Sequence, residues 1–174
     1  MQNSENNPTI LIVEDDPDQM NLLANFTINE IKTLSEDVKT NAKGQQRLSD
    51  IRILKITNIS ALRKAVSMYK NVFLAVLDCN IPDTKDSVSH DQLVKANHRI
   101  TGQHNSVDIL INKLPDTPIT MISSLGRFQK IVLQHYKNKP GVNINFIRKN
   151  DQSMINANIG EHLSQYLAAV GGFS

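Results

Sequence analysis

Five side chains in this sequence could handle a phosphoryl group together: Glu14, Asp15, Asp78, Ser123 and Lys149. Three carboxylates crowded together repel one another, so such a cluster is costly unless a cation joins it. A hard divalent ion with oxygen ligands fits, and Mg2+ typically takes one or two carboxylates plus phosphate oxygens. A hydroxyl and an ammonium facing that ion are suited to holding an anionic phosphoryl group. Taken singly, each residue has an ordinary explanation. Glu14 and Asp15 could oppose a helix dipole, Asp78 could start a turn, Ser123 could close a strand, and Lys149 could be a solvated surface lysine. What joins them is that they stand at the ends of four separate apolar runs, with Glu14 and Asp15 sharing the first.

Those runs are Thr9–Val13, Ile51–Thr57, Val72–Leu77, Ile119–Ser123 and Asn143–Ile147. The first, third and fourth carry almost no polar alternation, the pattern of strands covered on both faces in a parallel sheet. Helical spacing lies between them. Asp16 before Pro17 predicts an N-cap with proline at the first helical position, followed by Met20, Leu23, Ile31 and Leu34 on one face. Ser60–Tyr69 reads as a helix, and so does the stretch holding Val107, Leu110, Ile111 and Leu114, which Pro115 ends. Phe128, Ile131, Val132 and Tyr136 predict a helix ending near Lys139-Pro140-Gly141. Ile155, Ile159, Leu163 and Leu167 predict the last, ending near Ala169. The alternation is that of βαβ units, so the expected fold is a doubly wound, five-stranded parallel sheet in one α/β domain. In such a sheet the five candidate residues gather on the edge formed by the strands' carboxyl ends.

Two polar stretches lengthen the domain. Ser35–Asp50 either prolongs the first helix or forms an extra one, with Lys43-Gly44 resembling a helix end. Asp83–Thr101 leaves from the candidate site's own edge and could carry a helix over Asp91–Ile100, act as a lid, or be a tolerated surface loop. The expected layout is a disordered lead-in over residues 1–8, one domain over 9–170 and a tail over 171–174.

With 174 residues, 40% hydrophobic and 21% charged, the chain has the composition of a globular protein with a proper core. No apolar run approaches a membrane span, and the first residues lack the basic and apolar parts of a signal peptide. The lone cysteine, Cys79, allows no internal disulfide, and a cytoplasmic location is expected. The formal charge of +2 gives no argument for nucleic acid.

The sequence resembles the receiver domain of bacterial two-component response regulators. The resemblance rests on ILIVEDD at Ile10–Asp16, VLDCNIP at Val76–Pro82, PITMISS at Pro118–Ser124 and FIRK at Phe146–Lys149. An aspartate with proline four later, serine five after a proline and lysine three after an aromatic together make it specific. It implies strand order 2-1-3-4-5, the flavodoxin-like order. It also implies roles. Asp78 would be the phosphoacceptor, taking its phosphoryl group from a phosphohistidine on a sensor kinase or histidine phosphotransfer protein. Asp15 would bind Mg2+ directly, Glu14 mainly through water, and Asn80 through its backbone carbonyl. Ser123 would hydrogen-bond the phosphoryl group, Lys149 would pair with its oxygens, and Phe146 would be the switch aromatic. Two positions depart from the family pattern: Asn150 follows Lys149 where proline is usual, and Ser124 replaces a small residue.

Other classes fit less well. A haloacid-dehalogenase-type phosphatase also uses an aspartate nucleophile at a strand end, but needs a second aspartate two positions later, where this chain has Asn80. The chain is therefore expected to phosphorylate and dephosphorylate itself rather than turn over a substrate. A pseudo-receiver that binds partners without phosphorylation is the alternative reading. From Thr117 to Asn150 there is no Asp or Glu, while Arg127, Lys130, Lys137, Lys139 and Arg148 would decorate the helix before the fifth strand and that strand itself. That basic face suggests an acidic output partner, on the surface that receivers switch: the helix before the fifth strand, the strand and the last helix.

Overall fold

The computed structural model describes residues 7–78, 81, 101–124, 136 and 141–174. Their elements run β1 (Thr9–Val13), α1 (Pro17–Glu36), α2 (Ala42–Ser49), β2 (Arg52–Ile56), α3 (Ile59–Met68), β3 (Val72–Asp78), α4 (Thr101–Lys113), β4 (Ile119–Ser123), β5 (Ile144–Arg148) and α5 (Gln152–Ala169). The five strands are all parallel, in the order β2-β1-β3-β4-β5. The expected class and order are both present. Parallel pairing demands a crossover after each strand, which is why helical segments separate the apolar runs.

Each face of the sheet has its own core, because side chains alternate along a strand. On one face Leu11, Val13, Ala75, Leu77 and Met121 meet α3 and α4 through Leu62, Val66, Val107 and Leu110. On the other, Ile10, Ile12, Leu74, Val76 and Ile122 meet α1, α2 and α5 through Leu23, Leu48, Ile159 and Leu163. β1 and β4 are buried at every position, which accounts for their unbroken apolar runs. A buried polar pair crosses the second core, where Thr120 Oγ1 donates to Asn158 Oδ1.

The Ser35–Asp50 stretch forms a separate helix, α2, rather than a prolonged α1. Gly44 does not end it. The true cap is Asn41, whose side chain accepts from the Gly44 amide at 2.9 Å. Gly44 is needed inside the helix because the chain's far end passes against it. A Cβ there would stand 2.2 Å from the Gly172 carbonyl oxygen. The last residues are tied down in the same place. Thr40 and Phe173 form an antiparallel bridge, Asn41 N donates to Gly172 O at 3.0 Å, and Ser174 N donates to Lys39 O at 2.9 Å. At the other terminus, the Pro8 carbonyl accepts from Arg52 N at 2.8 Å.

α4 begins at Thr101, six residues before the first apolar position that marked it in the sequence. The helix expected at Asp91–Ile100, most of the Asp83–Thr101 stretch and all but Tyr136 of the helix expected from Phe128 lie outside the described residues. No helix among the described residues is long and apolar enough to cross a membrane.

Candidate functional site at the carboxyl edge of the sheet

β1 ends at Val13, which is level with Leu77 in β3 and Ile56 in β2. The next residue on each central strand, Glu14 and Asp78, therefore emerges at the same height. Glu14 N extends the ladder by donating to Ile56 O at 2.9 Å. Its carboxyl group is fully buried, and Asp16 N donates to Glu14 Oε1 at 3.2 Å. Asp16 itself turns away from this cluster to cap α1, its Oδ1 accepting from Asp18 N at 2.9 Å and Gln19 N at 3.1 Å. The three adjacent acids thus divide their work: the third starts the helix, and the first two face the strand edge.

β4 brings Ser123, which is 8% exposed, and β5 brings Lys149 just past its end. The backbone joins these two, with Lys149 N donating to Ser123 O at 3.0 Å. Lys149 Nζ donates to Glu14 Oε1 at 3.1 Å and to Asp78 Oδ2 at 3.2 Å. It also lies 2.9 Å from Glu14 Oε2, which accepts no hydrogen bond from any described residue. The Lys149–Asn150 peptide is trans, like the others among the described residues.

Electrostatics mark the same spot. Burial above all, and then the charge on Asp78, push the Glu14 carboxyl up to about 7, against the pull of Lys149. Burial disfavours the Lys149 ammonium, but the carboxylates of Asp78 and Glu14 outweigh it and hold that group above its ordinary value. Carboxylate oxygens of Glu14, Asp15 and Asp78 lie within 4.8 Å of one another, with Asp15 exposed to solvent. Lys149 is shared between two of these carboxylates, Glu14 and Asp78. A buried carboxyl group whose charged form burial disfavours, in an all-oxygen donor set, fits a hard divalent cation such as Mg2+.

All five residues singled out for chemistry thus converge. Phe146 is half-buried and packs on the core beneath α3 and α4. Asn80, Arg127, Lys130, Lys137 and Lys139 lie outside the described residues, whereas Arg148 is exposed at the end of β5. Sequence reading missed a cleft of about 530 Å3 beside the cluster, lined by Gln19, Ser124, Arg148, Lys149, Asn150 and Gln152. No local signal announces it, because it forms only where the starts of α1 and α5 meet the ends of β4 and β5.

No family model matches the chain, and no curated protein sequence does. Solved structures do match it. The receiver domain of NtrX from Brucella abortus is 16% identical over 89% of this chain and 98% of its own, with a TM-score of 0.54. A response regulator receiver domain protein from Clostridium thermocellum is 12% identical over 92% of this chain and 98% of its own, with a TM-score of 0.52. The putative pilus assembly protein CpaE from Burkholderia thailandensis is 11% identical over 90% of this chain and 98% of its own, with a TM-score of 0.53. With its five strands in the order 2-1-3-4-5 and helices on both faces, the chain has the fold of response-regulator receiver domains.

Proposed function

We propose that this chain is a phosphoacceptor module of a two-component phosphorelay, with Asp78 as the acceptor. The observation that carries the reading is the reach of Lys149 Nζ to both Asp78 Oδ2 and Glu14 Oε1 within the acidic cluster. A structural lysine needs only one partner. One that spans the acceptor and a neighbouring acid also stands where the oxygens of a phosphoryl group on Asp78 would lie.

In the proposed reaction an Asp78 carboxylate oxygen attacks phosphorus in line with the bond to a donor imidazole. The O–P bond forms as the P–N bond breaks, and the electron pair returns to the imidazole nitrogen. Glu14, Asp15 and Asp78, with the Asn80 carbonyl, would hold Mg2+, which when bound neutralises charge on the carboxylates and the phosphoryl oxygens. Lys149 pairs with one of those oxygens, and the Ser123 hydroxyl donates to another. Catalysis of this kind is mostly positioning and charge neutralisation. The phosphoryl group stays on Asp78 until water removes it, so the protein acts as a signal carrier rather than a turnover enzyme. Drawing Ser123 towards the phosphoryl group makes room for Phe146 to turn inward, which alters the surface of β5 and its neighbouring helices. Sensor kinases or phosphotransfer proteins are the proposed donors, and an acidic protein is the proposed output partner of the basic face.

Intact mass after incubation with Mg2+ and acetyl phosphate tests this reading. The expected result is one phosphoryl adduct that disappears with EDTA and with Asp78→Asn. A folded, Mg2+-binding protein that gains no adduct overturns it in favour of a pseudo-receiver.

A further inference from the structure

The cleft beside the cluster holds a cation to which the proposed transfer from a phosphohistidine assigns no role. Arg148 lines it together with Lys149, and the remaining lining residues, Gln19, Ser124, Asn150 and Gln152, are neutral hydrogen-bonding groups. Among the described residues, no carboxylate lines the cleft. Lys149 turns its ammonium to Asp78 and Glu14, whereas no ion pair joins Arg148 to a carboxylate among the described residues. Arg148 is solvent-exposed and directly precedes the lysine that reaches the acceptor. A cleft that adjoins a phosphoryl-transfer site, with one arginine and a ring of amides, is built to receive an anion with hydrogen-bonding oxygens.

Resting on the proposed phosphoacceptor role of Asp78, we infer that Arg148 is a donor-selecting residue, which favours donors whose leaving group departs as a carboxylate. When an acyl phosphate reacts, the Asp78 oxygen bonds to phosphorus and the P–O bond to the acyl group breaks. The electron pair leaves on a carboxylate oxygen, with no proton transferred. Negative charge thus grows on the departing oxygen during transfer, and a guanidinium in the cleft meets it with paired N–H donors. Phosphoramidate gives the opposite case. Its nitrogen is protonated before transfer, the P–N bond breaks, and neutral ammonia leaves. The guanidinium has no charge to offset there.

The experiment compares rate constants of Asp78 phosphorylation by acetyl phosphate and by phosphoramidate, at fixed Mg2+ and ionic strength, in wild type, Arg148→Ala and Arg148→Lys. Loss of one charge-assisted contact to the departing oxygen should slow the Ala variant about tenfold with acetyl phosphate. The rate with phosphoramidate should stay within about twofold, since no negative charge develops on its leaving nitrogen. The Lys variant should recover part of the acetyl phosphate rate, as a point charge without the fork. Equal slowing with both donors, or no slowing with either, overturns the inference and leaves the receiver reading intact. A wild-type protein that neither donor phosphorylates overturns the receiver reading, and this inference with it.

Discussion

The amide of Lys149 donates to the carbonyl of Ser123 at 3.0 Å, so the residues proposed to grip the phosphoryl group are fixed to each other through the backbone. This tie leaves the Lys149 side chain to serve the carboxylates alone. Replacing Lys149 by Met should keep the β4–β5 ladder but remove the ammonium that Glu14 and Asp78 share. Removing one member of a buried ion pair costs several kcal/mol, but here Glu14 can take up a proton and limit the loss. We expect a loss of about 2 kcal/mol at pH 8 without metal, shrinking at pH 5.5. Urea denaturation at the two pH values checks this, and an equal loss at both would show that charge is not the cause.

Glu14 sets a pH dependence of its own. In the folded protein it ionises near 7, against an ordinary value of 4.5. Between those values the folded chain holds a proton that the unfolded chain has released. Metal-free stability therefore falls as pH rises through this window, and the loss is complete above about 7. The gap corresponds to at most roughly 3 kcal/mol. Glu14→Gln should flatten this slope, so the difference between the two proteins isolates the group. Cation binding must displace the same proton, and Mg2+ affinity should climb from pH 5.5 to pH 7.5. Metal-free stability that rises with pH relative to Glu14→Gln would refute the assignment.

Most of this site was legible because each of its members ends an apolar run, and the fold places strand ends together. Val72–Leu77 reads as a strand covered on both faces because it is one, and Asp78 follows at its last position. The complete burial of Glu14 was not legible: in sequence it is one of three acids ahead of a helix, and only the packing of the sheet edge separates it from Asp16. Gly44 misled for a similar reason. Glycine disfavours helix interiors, so it reads as a stop unless a distant segment requires its missing side chain. That segment is Gly172, 128 residues later, and no local pattern records the meeting.

Gly44→Ala is accordingly a sharp test of the docked C-terminus. By helix propensity alone the change should stabilise α2 by about 1 kcal/mol. Against that, the new methyl group would lie 2.2 Å from the Gly172 oxygen and 2.8 Å from Thr40 Cγ2, and the first of these is backbone that cannot swing aside. Overpacking should win, for a net loss of about 1–3 kcal/mol. Hydrogen exchange should show the Asn41 and Ser174 amides losing protection, while β1 and β3 keep theirs. A stabilised protein with those amides still protected would mean that the close approach of the two glycines is wrong.

The buried bond from Thr120 to Asn158 ties β4, three residues before Ser123, to the middle of α5. Both residues are at least nine-tenths buried, so neither can turn to water if its partner is lost. Thr120→Val keeps the side chain's shape but strands the Asn158 carbonyl oxygen, at a cost of about 1–3 kcal/mol. Asn158→Leu strands the Thr120 hydroxyl in the same way. Replacing both leaves an apolar contact in an already apolar layer between Ile122 and Ile159, so the double variant should recover at least 1 kcal/mol over the sum of the single losses. A double-mutant cycle read by urea midpoints measures that coupling. If the pair acts only as a strut, the rate of Asp78 phosphorylation in the double variant should match wild type. A slower rate together with restored stability would mean instead that this bond sets the position of Ser123 at the end of its strand.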